Sequence, residues 1–512
     1  KVQKVRSDNL TMYSNARMAL CLIINARLAT FTYAAPYLIA SQAIAYQLNA
    51  VKPSLVQQQG STASAISMVA TWPDTVVDSE STSTAEQNPF LVCKDDCWQS
   101  TNTLTPDLLD ETISDAKLLQ RTDGEGVEWE IESPITFTYR VRESKDVLDP
   151  ASDTLLFGHL TNAQDLERAK SRTLKRVVVV DDVVYSLYGD RIEAYFKAHN
   201  VETRMLVLPT TEENKNMDMV LKIAETIHDL GVDRRLDPVI AIGGGVCMDI
   251  VGFAASIYRR RTPYIRVPTT LMGYVDASVG AKSGVNFAGK KNKLGAYLPP
   301  ALAILDRSFL SSLDQRQLSN GAAEIMKMAL VKDGELFELL EQHGPQLIDG
   351  KFQKLAGSDG DAAARVLYLS IQTMLEELAP NLWEDSLRRL VDFGHVFSME
   401  LEMEVLHEDK LFHGEAVAID MAFCAVLAFV RGHINETIRD RILRTMVGLK
   451  LPIYHPRFDE DMVVEAIYER VKFSQGQKIP LPVGVGVARL FDDISQQEMF
   501  DALAIWRELA EA

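Results

Sequence analysis

The chain has 512 residues, of which 47% are hydrophobic and 24% charged, a globular composition that excludes a collagen-like, wholly disordered or disulfide-stapled protein. Its 71 acidic and 53 basic side chains give a formal net charge of −18, so no nucleic-acid partner is expected. The five scattered cysteines fit a reducing compartment better than a secreted scaffold.

The first 73 residues differ from the rest of the chain in charge. They hold one acid, Asp8, against six basic residues, and they are rich in Ala, Ser and Thr. Acid-poor, Arg-bearing segments of this kind are typical of organelle transit peptides, so 1–73 is interpreted as a targeting leader or an unstructured extension. The chain is therefore expected in a plastid or another organelle, and otherwise in the cytoplasm. Arg27 and Pro36 interrupt the apolar stretch 18–46, so no stable membrane partner is expected.

Patterns of ordered structure begin near Val127. Residues 74–126 are rich in Ser, Thr, Asp and Glu and are interpreted as a linker. From Glu128 polar and apolar residues alternate, and buried β-branched runs then alternate with amphipathic helix patterns, which predicts a parallel α/β sheet. We therefore predict an α/β Rossmann-like domain over 127–312. Strand patterns stop after about Leu313, so 313–512 is predicted to form an all-α domain.

Three consecutive glycines follow a predicted buried strand in IGGGVCMDIVGFAAS, residues 242–256. Glycines at this point let the backbone approach a pyrophosphate, and the next helix offers free N–H groups. A tight strand-to-helix turn explains the same glycines equally well. Asp249 lies in the first helical turn, where either the helix dipole or a ligand accounts for it.

A short Gly-rich region after this helix collects cations and amides. Its polar members are Asp276, Lys282, Asn286, Lys290, Lys291, Asn292 and Lys293. A lysine cluster is usually a solvated face, but glycines, amides and hydroxyls between the lysines suit an anionic ligand. This region is where an acidic protein could hold a phosphate.

Glu324, His395 and His413 form a candidate metal set in the helical half. Two histidines and one carboxylate leave zinc positions open for substrate oxygens. With nine histidines scattered along the chain, such a set can also arise by chance. Spacing alone does not decide between a metal site and a chance arrangement. Lys327 shares a helix face with Glu324.

The family is indicated by five strings, in this order: IGGGVCMDIVGFAASIYRRRTPYIRVPTTLMGYVDASVGAKSGVN, KNKLGAYLPP, LSNGAAEIMKMA, DFGHVFS and FHGEAVAIDMA. They resemble the sugar phosphate cyclase superfamily, which contains 3-dehydroquinate synthase, from about Phe137 to the C-terminus. The resemblance implies a dehydroquinate synthase-like fold, with an N-terminal Rossmann-like NAD domain and a C-terminal α-helical metal domain. It also implies an active site in the cleft between them, and a homodimer.

The resemblance implies a role for each matching residue. NAD contacts fall on Asp181, Asp182, Glu212, Lys215, Gly244, Gly245, Asp249, Thr269, Thr270, Asp276, Lys282 and Lys291. Substrate and catalytic contacts fall on Lys282, Lys327, Asp276, Asn292, Arg388 and Lys291. Arg259 or Arg260 resembles the arginine that reaches the phosphate, from the same or the partner subunit. The ligands of Zn²⁺ (or Co²⁺) fall on Glu324, His395 and His413.

Departures from the 3-dehydroquinate synthase pattern point to one branch. Met399 stands for a histidine, Asp392 for an asparagine, and Met374 lies near the place of a lysine. In that enzyme these positions face the substrate carboxylate and the reacting carbons, so the changes disfavour a carboxylated substrate. NLWEDSLRRLVDFGHVFS and RRRTPYIRVPTTL resemble sedoheptulose 7-phosphate cyclases instead, and GAKSGVN and PLPVGVG resemble the 2-epi-5-epi-valiolone synthases among them.

The implied reaction converts sedoheptulose 7-phosphate to 2-epi-5-epi-valiolone with phosphate release. It proceeds by transient oxidation with NAD, β-elimination, reduction and an intramolecular aldol, which makes the enzyme a carbon–oxygen lyase acting on phosphates. Alternatives are a demethyl-4-deoxygadusol synthase or a 3-dehydroquinate synthase. A glycerol dehydrogenase-like, metal-dependent alcohol dehydrogenase is a more distant alternative, and it would not need the lysine cluster.

Overall fold

The structure is a computed structural model that describes residues 99–100, 117–123, 126–357, 360–405, 411–474 and 476–511. It divides into two units, with the boundary between Ile131 and Glu132. The predicted leader, 1–73, and most of the predicted linker, 74–126, lie outside the described residues, as does the apolar stretch 18–46. The leader, the domain limits and the organelle therefore stay predictions.

The first unit contains a three-stranded sheet in the order β1-β2-β3. Its strands are β1 (Gln99–Ser100), β2 (Lys117–Asp123) and β3 (Gly126–Glu132), and β1 is antiparallel to β2. Strand β2 falls inside the range interpreted as linker, so these residues of that range form regular structure. Leu119 on β2 is fully buried.

The second unit begins with a six-stranded parallel sheet in the order β4-β11-β8-β7-β5-β6. Its strands are β4 (Arg140–Ser144), β5 (Lys175–Asp181), β6 (Glu202–Leu208), β7 (Val239–Gly243), β8 (Tyr264–Pro268) and β11 (Leu302–Asp306). Between the last two, β9 (Lys282–Phe287) and β10 (Lys290–Tyr297) form an antiparallel hairpin. The accompanying helices are α1 (Thr154–Phe157), α2 (Ala163–Lys170), α3 (Asp182–Ala198), α4 (Met217–Leu230) and α5 (Gly245–Ile257). The parallel order of the strands confirms the predicted Rossmann-like sheet. Its central strands are buried runs rich in β-branched residues, as is typical of a parallel sheet.

The order of the sheet determines where a ligand can bind. Strand β5 lies between β6 and β7. The chain runs from β5 to β6 on one side and then crosses over to β7 on the other side of β5. Such a switch point opens a crevice beyond the carboxyl ends of the strands. Asp181 and Gly243 end β5 and β7 at this crevice.

The second half of this unit is helical, as predicted. Its helices are α6 (Gln315–Val331), α7 (Gly334–Asp349), α8 (Ala362–Leu378), α9 (Ser398–Glu404), α10 (His413–Val430), α11 (Glu436–Gly448), α12 (Glu460–Ser474) and α13 (Gln496–Glu511). Two short antiparallel pairs interrupt them: β12 (Ala356–Gly357) with β13 (Gly360–Asp361), and β14 (Ile479–Gly484) with β15 (Val487–Phe491). The prediction that strands stop after Leu313 is therefore wrong. A two-stranded sheet has only edge strands, so it tolerates the prolines of PLPVGVG.

Helix α10 forms the centre of the helical half. Every residue from Gly414 to Ala428 is buried, and the helix packs against α6, α9 and α13. Among the described residues it is the helix that is long and apolar enough to cross a membrane, but 83% of it is buried inside the protein. A helix that is apolar on all sides fits such a core position.

Candidate metal and cofactor site

Glu324, His395 and His413 meet at one point, although they lie on three separate segments. One ligand atom from each lies within 4.8 Å of the others. His395 Nε2 is 3.6 Å, and His413 Nε2 3.8 Å, from Oε1 of Glu324. The structure therefore brings together the metal set whose spacing alone was ambiguous.

Both histidines use their other ring nitrogen to bind the protein. Nδ1 of His395 is 3.0 Å from the carbonyl oxygen of Phe393, and Nδ1 of His413 is 3.2 Å from Oε2 of Glu402. Such partners fix the orientation and tautomer of metal-binding imidazoles. Both rings are thereby held with Nε2 toward Glu324.

Close packing of α10 on α6 brings His413 near Glu324. The backbone N–H of Gly414 donates to Oδ1 of Asn320 at 2.6 Å, and a Cβ at Gly414 would lie 1.9 Å from the carbonyl oxygen of Asn320. Only glycine permits this approach.

The loop of His395 is attached to the same helix by a buried carboxylate. Oδ2 of Asp420 accepts the backbone N–H groups of Phe397 and Ser398 at 2.6 and 2.9 Å. Asp420 lies on α10, so one helix carries one histidine and holds the segment of the other.

The charges at this point suit a divalent cation. Glu324 is 1% exposed, and its Oε1 has no hydrogen-bond donor within the described residues. Burial alone would raise the pKa of Glu324, but the charges of Lys327, His395 and His413 outweigh burial and lower it to about 2. An ionised carboxylate beside two oriented imidazoles is a fitting set for zinc, with coordination positions left open.

Lys327 and Asp276 adjoin this set. Nζ of Lys327 lies 2.5 Å from Oε2 of Glu324, and although burial opposes it, the charges of Glu324 and Asp276 raise the pKa of Lys327. Asp276 lies in a single π-helical turn, Gly273–Ala277, an irregularity frequent at functional sites. Burial and the charge of Glu324 raise the pKa of Asp276 to about 6.

The glycine turn forms the floor of the crevice at the sheet edge. Gly244 precedes α5 and offers no side-chain cap, so the first N–H groups of the helix stay open. A Cβ at Gly244 would lie 3.2 Å from Cγ2 of Thr270, so the turn leaves little room for a side chain. The buried Oγ1 of Thr269 has no hydrogen-bond partner in the described part of the chain. These features fit the pyrophosphate and nicotinamide side of a dinucleotide.

A polar network connects this turn with the β9–β10 hairpin. Nζ of the buried Lys215 lies 2.6 Å from Oδ2 of Asp249 and donates to Oδ1 of Asn292 at 2.7 Å. Glu212 accepts from Nδ2 of Asn286 at 2.8 Å and lies 3.4 Å from Nζ of Lys291. The prediction that Asp249 lies in the first helical turn is wrong, because it is the fifth residue of α5 and the first turn holds no acid. Its carboxylate instead contacts the lysine Lys215.

The two acids at the end of β5 differ in their contacts. Asp181 caps α3 by accepting the N–H groups of Val183 and Val184, and it also accepts the hydroxyl of Thr210. Asp182 is exposed and accepts only the N–H of Val183 in the described structure. Asp181 is the one that lies on the crevice side, beside the segment leading to Glu212.

A second group of charges, named here the outer end, consists of Lys282, Glu384 and Arg389. Glu384 contacts both cations and accepts the hydroxyl of Tyr297 at 3.0 Å. Lys282 is 57% exposed. The name inner end is used for Glu324, Lys327, Lys291 and Glu402, which are all largely buried.

Three predicted arginines do not join either group. Arg388 is 63% exposed and lies 3.7 Å from Oδ2 of Asp492, whereas its neighbour Arg389 contacts Glu384 and Asp392. Arg259 and Arg260 are exposed, and both have positive φ angles, of 51° and 63°. The structure thus assigns the inward position to Arg389, which the resemblance had not singled out.

The structure shows the surroundings of the three residues that depart from the dehydroquinate synthase pattern. Asp392 contacts Arg389 and Arg470, and although burial opposes it, their charges lower the pKa of Asp392. Met399 is 46% exposed on α9, and Met374 is buried on α8. An ionised acid therefore stands at the position of the asparagine. Uncharged methionines stand at or near the positions of the histidine and the lysine.

Sequence reasoning missed Glu402, Glu384 and Arg389. Glu402 lies in SMELEME, where three acids alternate with apolar residues and no spacing rule selects one. Glu384 and Arg389 lie outside regular helices and strands, where sequence does not show which side chain faces inward. Only the fold brings them to the site.

Comparisons with known proteins agree with this geometry. The 3-dehydroquinate synthase N-terminal family matches residues 205–320, and the 3-dehydroquinate synthase C-terminal family matches 321–473. A 2-epi-5-epi-valiolone synthase from Streptomyces albus is 49% identical over 339 residues, which cover 66% of this chain and 82% of that protein. A demethyl-4-deoxygadusol synthase from Trichormus variabilis is 38% identical over 336 residues, covering 65% and 81%.

Among the solved structures that are similar is one that covers 74% of this chain. It is ValA, the 2-epi-5-epi-valiolone synthase of Streptomyces hygroscopicus subsp. jinggangensis, with NAD⁺ and Zn²⁺ bound. It is 45% identical, covers 74% of this chain and 100% of its own, and has a TM-score of 0.67.

Proposed function

This chain belongs to the 3-dehydroquinate synthase family of sugar phosphate cyclases, and from that premise we propose that it converts sedoheptulose 7-phosphate to 2-epi-5-epi-valiolone with release of phosphate. The observation that carries the proposal is the 49% identity to a 2-epi-5-epi-valiolone synthase over 82% of that protein. The converged Glu324, His395 and His413 supply the metal site that such a reaction needs. The chain is accordingly proposed to be a carbon–oxygen lyase acting on a phosphate.

The residues present fit both cofactors. Gly244, Thr269 and the network around Lys215 would hold NAD, and Glu324, His395 and His413 would hold Zn²⁺ or Co²⁺. When bound, NAD supplies reversible oxidation of a secondary alcohol and the metal polarises oxygen atoms.

Side chains of the protein supply the remaining electrostatics. Lys327 is buried and keeps its charge, so it is placed to stabilise negative charge that develops on a sugar oxygen. The departing phosphate can itself accept a proton, so no further strong base is required. At the outer end, Lys282 and Arg389 offer two cations to the phosphate, which must displace the carboxylate of Glu384 from them.

The positions that depart from the 3-dehydroquinate synthase pattern favour a substrate without a carboxylate. Met374 and Met399 lie at or near the places of a lysine and a histidine of that enzyme, so they offer no cation to a substrate carboxylate. Asp392, at the place of an asparagine, adds a negative charge. A substrate without a carboxylate, such as sedoheptulose 7-phosphate, needs no cation at these positions.

The proposal is tested with purified protein supplied with sedoheptulose 7-phosphate, NAD and Zn²⁺ or Co²⁺. We expect phosphate release and a seven-carbon cyclitol that mass spectrometry and NMR identify as 2-epi-5-epi-valiolone. His413→Ala is the matched control and should release no phosphate. A demethyl-4-deoxygadusol product, activity with 3-deoxy-arabino-heptulosonate 7-phosphate, or net NADH production with an unphosphorylated polyol would refute the proposal.

Two expectations from the sequence extend the proposal. We propose that the chain forms a homodimer, which sedimentation equilibrium would measure. We also propose that the basic segment 1–73 directs it to a plastid or another organelle, which imaging of a fluorescent fusion would locate.

A further inference from the structure

Glu402 is a buried carboxylate whose two oxygens contact side chains from different halves of the second unit. It is 4% exposed and lies on the short helix α9. Oε2 lies 3.2 Å from Nδ1 of His413, and Oε1 accepts a hydrogen bond from Lys291. A carboxylate buried so fully needs both partners, because an unpaired buried charge is strongly destabilising.

The contact with His413 determines which nitrogen faces the metal set. The ring has Nδ1 toward Glu402 and Nε2 toward Oε1 of Glu324. When Nδ1 carries the proton and donates it to Glu402, the lone pair of Nε2 is free for a metal. Glu402 is therefore placed to hold the ring in this rotation and, by accepting a hydrogen bond from Nδ1, to select the tautomer with a free Nε2.

The contact with Lys291 connects this ligand to the cofactor crevice. Nζ of Lys291 also lies 3.4 Å from Oε1 of Glu212, in the segment that follows β6. The side chain of Lys291 is only 10% exposed. Its charge is shared between Glu402 of the helical half and Glu212 of the sheet half.

We propose that Glu402 is a positioning residue that holds His413 in its metal-binding orientation and, through Lys291, fixes this ligand relative to the cofactor segment at Glu212. The inference uses the metal site of the proposed function but does not depend on which sugar phosphate is the substrate.

The same helix offers a matched control. Glu400 also pairs with a lysine of the hairpin, Lys290, but at 3.7 Å, and both side chains are more exposed than Glu402 and Lys291. In the described structure Glu400 contacts no metal-binding histidine. Loss of its charge should therefore leave the metal site unchanged.

Metal affinity tests the proposal directly. Zn²⁺ would be titrated against a chromophoric chelator into the metal-free forms of wild type, Glu402→Ala, Glu402→Gln and Glu400→Gln. We expect Glu402→Ala to bind Zn²⁺ about 100-fold more weakly. Glu402→Gln keeps an oxygen that can accept the N–H of His413 but loses the charge facing Lys291, so about a 10-fold loss is expected. Glu400→Gln should bind like wild type.

A spectroscopic readout separates positioning from general damage. The visible absorption of the Co²⁺ forms reports ligand geometry, and we expect it to change in Glu402→Ala and to stay close to wild type in Glu402→Gln. Wild-type Zn²⁺ affinity and an unchanged Co²⁺ spectrum in Glu402→Ala would overturn the proposal. If that variant does not fold, wild-type affinity in Glu402→Gln overturns it instead. Failure of the cyclisation assay leaves these titrations valid, so the two proposals fail separately.

Discussion

The inner and outer ends of the site hold their charges in different ways. At the inner end, Glu324, Lys327, Glu402 and Lys291 are largely buried, and each meets an opposite charge. At the outer end, Glu384 and Arg389 are only 11% and 15% exposed, whereas Lys282, which shares Glu384 with Arg389, is 57% exposed. Buried pairs are screened little by solvent, whereas exposed pairs contribute little.

This difference corresponds to two tasks. A metal that stays bound benefits from side chains that are fixed before it arrives. A phosphate that enters with the substrate and leaves during the reaction benefits from cations that exchange one anion for another. The inner end is therefore expected to respond sharply to packing changes, and the outer end weakly to charge changes.

The largest effect is expected from Gly414→Ala at the inner end. The added methyl group would lie 1.9 Å from the carbonyl oxygen of Asn320, so α10 must move away from α6. Such overpacking destabilises by about 1–3 kcal/mol. His413 moves with the helix, so Zn²⁺ affinity should fall at least about 10-fold. Urea unfolding and Zn²⁺ titration measure the two effects.

Gly448→Ala is the control for this variant. Its added methyl group would meet Cδ of Pro345 at 3.7 Å, an ordinary contact. Stability and Zn²⁺ affinity should both stay near wild type. If Gly414→Ala behaved in the same way, the close approach of α6 and α10 would not be what positions His413.

A smaller effect is expected from Glu384→Gln at the outer end. The change removes the anion that competes with phosphate for Lys282 and Arg389. The partly exposed pair with Lys282 alone contributes about 0.2–1 kcal/mol, so inorganic phosphate should inhibit at least about 1.4- to fivefold more strongly. Inhibition constants for phosphate check this, measured beside those of Asp385→Asn, a control that removes the charge of the exposed neighbouring residue. Weaker inhibition than in wild type would show that Glu384 supports the phosphate site.

Much of the fold could be predicted because its signals are local. The run KRVVVVD is buried along β5, and the glycines after β7 begin a helix as expected. The hairpin Ile479–Phe491 was missed because its prolines and glycines weaken any strand pattern. Its stability comes from packing on the helices, with Ile479 and Leu481 fully buried, which no local rule reports.

The site could be predicted only in part, for a similar reason. Glu324, His395 and His413 lie within strings that resemble the family, so they could be predicted as metal ligands. Glu402 is one acid among several on its helix, and its role depends on the distance to His413 in space. Which of the two arginines before His395, Arg388 or Arg389, faces the site likewise depends on the tertiary structure.

The smallest effect is expected from Arg388→Ala, which tests that orientation. The resemblance assigns a substrate contact to Arg388, but its side chain is 63% exposed and its ion pair with Asp492 is long, at 3.7 Å. Such a pair contributes little, so kcat/KM should fall less than about twofold. Arg389→Ala should lower kcat/KM more, because it leaves Glu384 and Asp392 without their shared cation. Steady-state kinetics of both variants decide the matter. A larger loss in Arg388→Ala than in Arg389→Ala would mean that the segment turns when substrate binds and that Arg388 is the phosphate ligand.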